Sequence, residues 1–352
     1  VRDAIIRYGL LAVLVICAVA FPKVFTNPAV TNYGVFAMIY VTVASAWNLF
    51  SGNSGYIMLG QAVFYGSGAY ALGLMASGWN VTGTMVFALL PLVGLIGAGI
   101  ALVFGLIALH VRRHTFIVIT IAVFFIFQTM AFNFGFTHGT QGLNSPFLNW
   151  PESGYNTPFY YIALAFAIGT IAIAWLIRRS RFGLQLRAIR DDEDRARGLG
   201  VKAFRVKIAA LVISGVITSM IGGIWFYYLN QVQPQTGFDP LFDLTIVLMA
   251  FLGGYGTIAG PVLGALIVEP GTTWLNIQVS NGYVSEIILG GVFLVVILLM
   301  PRGIIPTAGE RIRKLRTRGR PAVITAVSVP ARGDAPPQPP EPPGSEKVGA
   351  AQ

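Results

Sequence analysis

The 352 residues predict an all-α polytopic membrane protein of about eight full transmembrane helices plus a broken or re-entrant pair, eight to ten spans in all. Three observations lead there. The mean hydropathy is +0.70, with 55% hydrophobic residues. Only 11% of residues are charged, against roughly 25% in soluble domains, which excludes an ordinary soluble enzyme. The apolar residues come in blocks of about twenty, the length a helix needs to cross a bilayer, whereas the strands of a membrane barrel alternate over segments of about ten. The 41 glycines and 20 prolines fit such a bundle, where small residues let helices approach and prolines break spans.

The net charge of +10 is concentrated in two places. Ten basic residues lie between Arg178 and Lys207 and seven between Arg302 and Arg320, together 17 of the 24. By the positive-inside rule both segments face the cytoplasm. Juxtamembrane arginines beside anionic lipid account for these clusters, so membrane lipid and not nucleic acid is the expected partner.

The spans follow by parity. One at 159–177 ends at Arg178 and Arg179, so the Lys- and Arg-free stretch 135–158 is external. Spans at 115–134, 84–109, 55–77, 30–50 and 8–25 then alternate back to a cytoplasmic N-terminus carrying Arg2 and Arg7, with Arg112 and Arg113 in a cytoplasmic turn. Onward, a span at 207–229 leads to an external loop at 230–242, and a last span at 284–300 returns to Arg302. Between them, 243–269 is too long for one straight span and is interrupted at Gly253, Gly254, Tyr255 and Gly256. Two short half-helices satisfy parity. Irregular backbone at that depth must be buried in protein or line a polar cavity.

The basic, apolar, Ala18-Val19-Ala20 start imitates a secretory leader, but the spans behind it favour an uncleaved first helix. Cys17 within it reads as a small hydrophobe. Residues 1–306 form the expected transmembrane domain, with a cytoplasmic loop at 178–207. Residues 307–352, basic and then Pro-rich, form an expected disordered cytoplasmic tail.

No phosphate-binding Gly-Lys-Ser/Thr loop is present, so this chain has no ATP site and no catalytic residue of its own. His110 and His114 sit one helical turn apart without an evident third ligand, so no metal is expected. The segment from Arg178 to Lys207 is more structured than a topology signal requires. Leu184, Leu186, Ile189, Ala196, Leu199 and Val201 interleave with charges, and Asp191 to Asp194 precede Arg195 and Arg197 as acids precede cations along a short helix. Gly198 and Gly200 supply its stop. Loops of this length are usually functional. Polar residues at membrane depth nominate a path for solute: Asn48, Gln61, Gln128 and Asn133, with Gly66, Gly254 and Gly256 beside them. Each polar group alone also suits an interhelical hydrogen bond. Gly256, Gly260 and Gly264 form a stripe suited to helix packing, with Pro261 in the first turns. Asp243, Glu269 and Glu286 fall at span ends, where solvation is expected.

The string SRFGLQLRAIRDDEDRARGLGVKAFRVKIAALVISGVITSMIGG resembles the cytoplasmic loop and following span of LivM-type permeases of branched-chain amino acid ABC importers. GNSGYIMLGQAVFYGSGAYALGLM from Gly52 is similar to that family's glycine-patterned early segment, with Met58 where serine is common. RRHTFIVITIAVFFIFQTM with THGTQGLNSP resembles its central span and external loop. LMAFLGGYGTIAGPVLGALIVE from Leu248 resembles its late glycine-rich segment, and MPRGIIP from Met300 its closing motif. The likeness runs in order from about Val30 to Pro306.

The resemblance implies a permease bundle similar to sugar and vitamin B12 importers in the bacterial inner membrane, with both termini cytoplasmic. It implies a second, LivH-type permease, two cytoplasmic ABC ATPases that bind ATP and Mg, and an extracytoplasmic substrate-binding protein. Arg187, Arg190, Asp191, Asp192, Glu193, Asp194, Arg195, Arg197, Gly198 and Gly200 would form the element that couples to an ATPase. The implied cargo is a branched-chain amino acid, with urea or short amides as the near alternative. A stand-alone secondary transporter is the competing class, and it calls for an ionisable group near mid-bilayer.

Overall fold

The computed structural model describes residues 16–145 except 26, residues 154–279, scattered positions between 284 and 298, and residues 303–307. The first half of the expected span at 8–25, most of the span at 284–300, Glu286, and the tail beyond 307 lie outside the described residues.

Helix α1 occupies 16–24 and lies on α6 (Asn156–Arg179): Tyr160 donates from its hydroxyl to the Ala18 carbonyl and stacks on Phe21. Helix α2 (Pro28–Trp47) opens on Asn27, whose side chain accepts from Ala29, with proline at the first position where its missing N–H is harmless. A π-helical turn (Asn48–Gly52) closes it. Then come α3 (Gln61–Gly78), α4 (Leu90–Ala108), α5 (Arg113–Asn133), the short α7 (Arg181–Asp191) and α8 (Glu193–Gly198), and α9 (Ala203–Leu229). A single turn, α10 (Pro234–Gly237), leads to α11 (Pro240–Gly253) and α12 (Ala259–Gln278). Six helical stretches among the described residues have the length and hydropathy to cross a membrane. Helices α3 and α12, richer in glycine and polar residues, are not among the six.

Helix α9 is the axis of the bundle, packed along α3, α4 and α2. Gly68 of α3 and Gly222 of α9 bring these two helices together, since a Cβ on either would overlap the carbonyl of Ser219 or Tyr65 across the interface. Helix α2 packs on α6 and α12, and α11 runs back along α12, where Gly264 abuts the Met249 carbonyl.

Four expectations change. The span drawn from 55 begins as a helix only at Gln61, because Gly55 takes a left-handed φ of +76° and residues 55–60 are not helical. Gln61 bonds Ser214 and Thr218, so α3 starts alongside the middle of α9. The span drawn from 84 opens as a 3₁₀ segment, Gly83–Leu89, since the Pro91 ring would clash with the carbonyl four residues back in a continuous α-helix. The two loops expected outside pair through a two-residue ladder, β1 (Leu143–Asn144) against β2 (Gln231–Val232). Asp243 and Glu269, expected in solvated positions, are buried at 4% and 7% exposure. The half-height start of α3 explains the first: its free N–H groups need an acceptor away from water, and the Asp243 carboxylate takes the Ala62 N–H at 2.9 Å. Glu269 is interior because α12 continues past it to Gln278, and Thr273 bonds its carboxylate.

Candidate functional site

Helices α7 and α8 form a hairpin at the arginine-bearing end of the bundle. Ser180 caps α7 by accepting from Gly183, and Asp192 caps α8 by accepting from Arg195 at 3.0 Å. The apolar residues of α7 at Leu186 and Ile189 point into the core with Ala196 of α8. Asp191, Asp194, Arg195, Arg197, Gly198, Leu199 and Gly200 face outward, with Leu199 86% exposed. Leu199 stands exposed between Gly198 and Gly200 at the tip of the hairpin.

The inward face is wired to the helix breaks. Arg113 of α5 donates to the carbonyls of Ile189 and Arg190 at 2.8 and 2.6 Å, serving the unpaired end of α7. Arg190 donates to the Gly52 carbonyl at 2.9 Å, where α2 ends. Arg178 donates to the Gly256 carbonyl at 3.2 Å, in the break between α11 and α12. Asn48 joins the two breaks: its amide donates to the Thr257 carbonyl at 2.8 Å and accepts from the Gly256 N–H at 2.9 Å. Gly256 is at φ +75°, and a side chain there would collide with the Arg190 guanidinium. Arg187 instead returns to the Arg178 carbonyl within the hairpin's own corner.

Glu193 is the acidic residue of α8 that turns inward. Its carboxylate meets Lys207 of α9 at 2.9 Å, the Tyr56 hydroxyl and Arg197. Burial pushes the Glu193 carboxyl up, but the Tyr56 hydroxyl, Lys207 and Arg197 outweigh it and hold it below the usual carboxylate range. Beside this cluster lies a cleft of about 430 Å³ between the α4–α5 turn and the hairpin, with His110, Arg112 and His114 on one wall and Asp191 to Asp194 on the other. His110 packs on Phe204. Among the described residues no group of three His, Cys, Asp or Glu is placed to hold a metal ion.

The seven path residues do not converge. Asn48, Gly254 and Gly256 belong to the break just described. Gln61 pairs with α9, Gly66 packs against the Gly237 carbonyl, Gln128 donates to the Phe238 carbonyl at 2.6 Å, and Asn133 bonds its own helix at Thr129 in an exposed position. A cavity of about 360 Å³ between α3, α4 and α5, with Ser67, Tyr70 and Phe127 in its wall, touches none of them. Sequence reasoning missed Lys207, Tyr56, Arg113 and Arg178 as site residues. A lysine as the last charge before an apolar run was the available signal for the first, because such a charge requires a partner once buried.

Residues 29–297 match the family described as branched-chain amino acid transport system / permease component. The chain belongs to this permease family. Over 333 residues the permease is 26% identical to the high-affinity branched-chain amino acid transport system permease protein LivM of Salmonella typhimurium, covering 86% of this chain and 76% of that protein. It is 28% identical over 138 residues to the LivH permease protein of the same organism, 39% of this chain and 44% of that one. A ribose import permease protein, RbsC of Bacillus subtilis, is 27% identical over 150 residues, 42% of this chain and 45% of that one. No solved structure matches.

Proposed function

We propose that this permease is a membrane subunit of an ATP-driven importer in the bacterial inner membrane, moving a small polar solute by alternating access. A branched-chain amino acid is the first candidate cargo, by the likeness to LivM, and urea or a short amide the second. A related permease completes the path, a binding protein delivers solute at the face carrying β1 and β2, and two separate ATPases holding ATP and Mg seat on the α7–α8 hairpin. The arginine-bearing end is then cytoplasmic, with both chain termini on that side.

The observation that carries this reading is the two-faced hairpin. Its outer surface is charged and exposed among the described residues, while its inner surface is bonded to both interrupted helices. A push on the outside has a rigid route to the breaks, and rigid-body motion of that kind is a recurrent way to switch a bundle.

The stand-alone reading draws on the buried Asp243. That carboxylate is engaged by the N–H of Ala62, so it serves the end of α3 as a cap. Purification of the permease with its membrane complex tests the choice: ATPase subunits are expected to co-purify, and vesicles holding the complex should accumulate labelled leucine only with ATP. Uptake by this chain alone, without ATP, would sink the proposal. Competition by urea or acetamide would move the cargo to the second candidate.

A further inference from the structure

We infer that Lys207, Glu193 and Tyr56 are the positioning residues that transmit force through the permease, tying α8 to α9 and to the α2–α3 connection so that the three move as one piece. The inference rests on the reading of the hairpin as an ATPase seat. It divides the hairpin's charges into two populations with different work.

The inner population centres on Lys207 and meets the outer charges through Arg197, which shares a Glu193 oxygen with it. The Lys207 ammonium, 1% exposed, donates to Glu193 Oε1 at 2.9 Å and to the Tyr56 hydroxyl at 3.1 Å. The Tyr56 hydroxyl donates to the second oxygen of the same carboxylate, and the ammonium lies 4.2 Å from the centre of the Tyr56 ring. Tyr56 also meets Phe116 of α5 edge-on, with ring centres 5.3 Å apart. Four elements, α8, α9, the α2–α3 connection and α5, therefore share one cluster. Loss of Glu193 leaves the buried Lys207 ammonium without its carboxylate, which makes such a joint resist separation far more than a surface pair does.

The outer population is different in kind. Arg112 and Asp194 stand 4.0 Å apart with side chains 92% and 77% exposed, and exposed pairs of that sort contribute little. They are available to a partner protein. The joint is placed to carry motion onward, because α9 is the helix along which α3 and α4 pack, and the α2–α3 connection leads to the half-height start of α3.

The test uses the complete transporter in proteoliposomes, with uptake and ATP hydrolysis read in parallel and subunit retention read by size exclusion. Lys207→Met and Glu193→Gln are expected to retain the ATPases and hydrolyse ATP while uptake per ATP falls on the order of tenfold. The exchange Lys207→Glu with Glu193→Lys should recover part of the loss. Tyr56→Phe, which removes one hydroxyl and leaves the ion pair in place, should shift the ratio in the same direction by less. Asp194→Arg, on the outer face, should instead reduce the ATPase retained. Unchanged uptake per ATP in the retained variants overturns the inference, as does loss of ATPase binding in Lys207→Met or Glu193→Gln, since the cluster would then shape the docking surface. Should those two fail to fold, an unchanged ratio in Tyr56→Phe overturns it. Absence of ATPase from the unmutated complex would instead refute the importer reading itself.

Discussion

At the scale of single residues, the site is a set of side chains that satisfy backbone left open by broken helices. Asn48 completes Gly256 and Thr257, Arg190 completes Gly52, and Arg113 completes the end of α7. Glu193 differs in being a charge among charges, which makes it sensitive to pH. Its folded carboxyl lies below the ordinary glutamate range, so its contribution is whole above that range and is lost as pH falls through the lower folded value. Amide exchange across 193–200, corrected for intrinsic rates, should hold steady from pH 7 to about 5 and rise below the ordinary glutamate value near 4.3. In Glu193→Gln that step should vanish. A step that survives the substitution would place the acid sensitivity elsewhere. The hairpin charges and Asn48 were legible as candidates because polar groups are rare in such a chain. Which of them turned inward was not, since that depends on Lys207 and Tyr56 approaching from 14 and 137 residues away.

At the scale of elements, glycine decides how close the helices lie. A Cβ on Gly68 would intrude on the backbone of Ser219, so α3 and α9 touch main chain to main chain. Gly68→Val forces the pair apart, and overpacking of this kind costs about 1–3 kcal/mol. The apparent unfolding midpoint in detergent should drop, whereas Gly99→Val, where no atom lies within 4 Å of a Cβ, should leave it nearly unchanged. Equal midpoints for both would mean that the approach is not close. Helix positions for α2, α5, α6 and α9 were legible from hydropathy blocks, and the α11–α12 break from its glycines. The late start of α3 and the 3₁₀ opening before α4 were not. Both lie inside continuous apolar runs, where hydropathy cannot separate helix from non-helix and only Gly55 and Pro91 hint at the change. The β1–β2 pairing escaped for another reason: two residues paired across some ninety positions leave no local periodicity.

At the scale of the whole molecule, one axis organises everything: an end dense in arginine and an end without it. The first holds the hairpin, the α4–α5 turn and both helix breaks, and the second holds β1, β2 and α10. Cations of this number are retained on the cytoplasmic side during insertion, so the direction of the axis is a physical expectation that labelling can read. In a Cys17→Ser background, Leu199→Cys sits on the exposed tip of the hairpin and Gln235→Cys on exposed α10 at the other end. A membrane-impermeant maleimide applied to intact cells stripped of their outer membrane should mark the Gln235→Cys protein and spare Leu199→Cys, and inverted vesicles washed free of bound ATPase should give the reverse. Marking of Leu199→Cys from outside would put the hairpin beyond the reach of any cytoplasmic ATPase. The importer reading and the joint at Lys207 would fall together, while the fold and the family would stand.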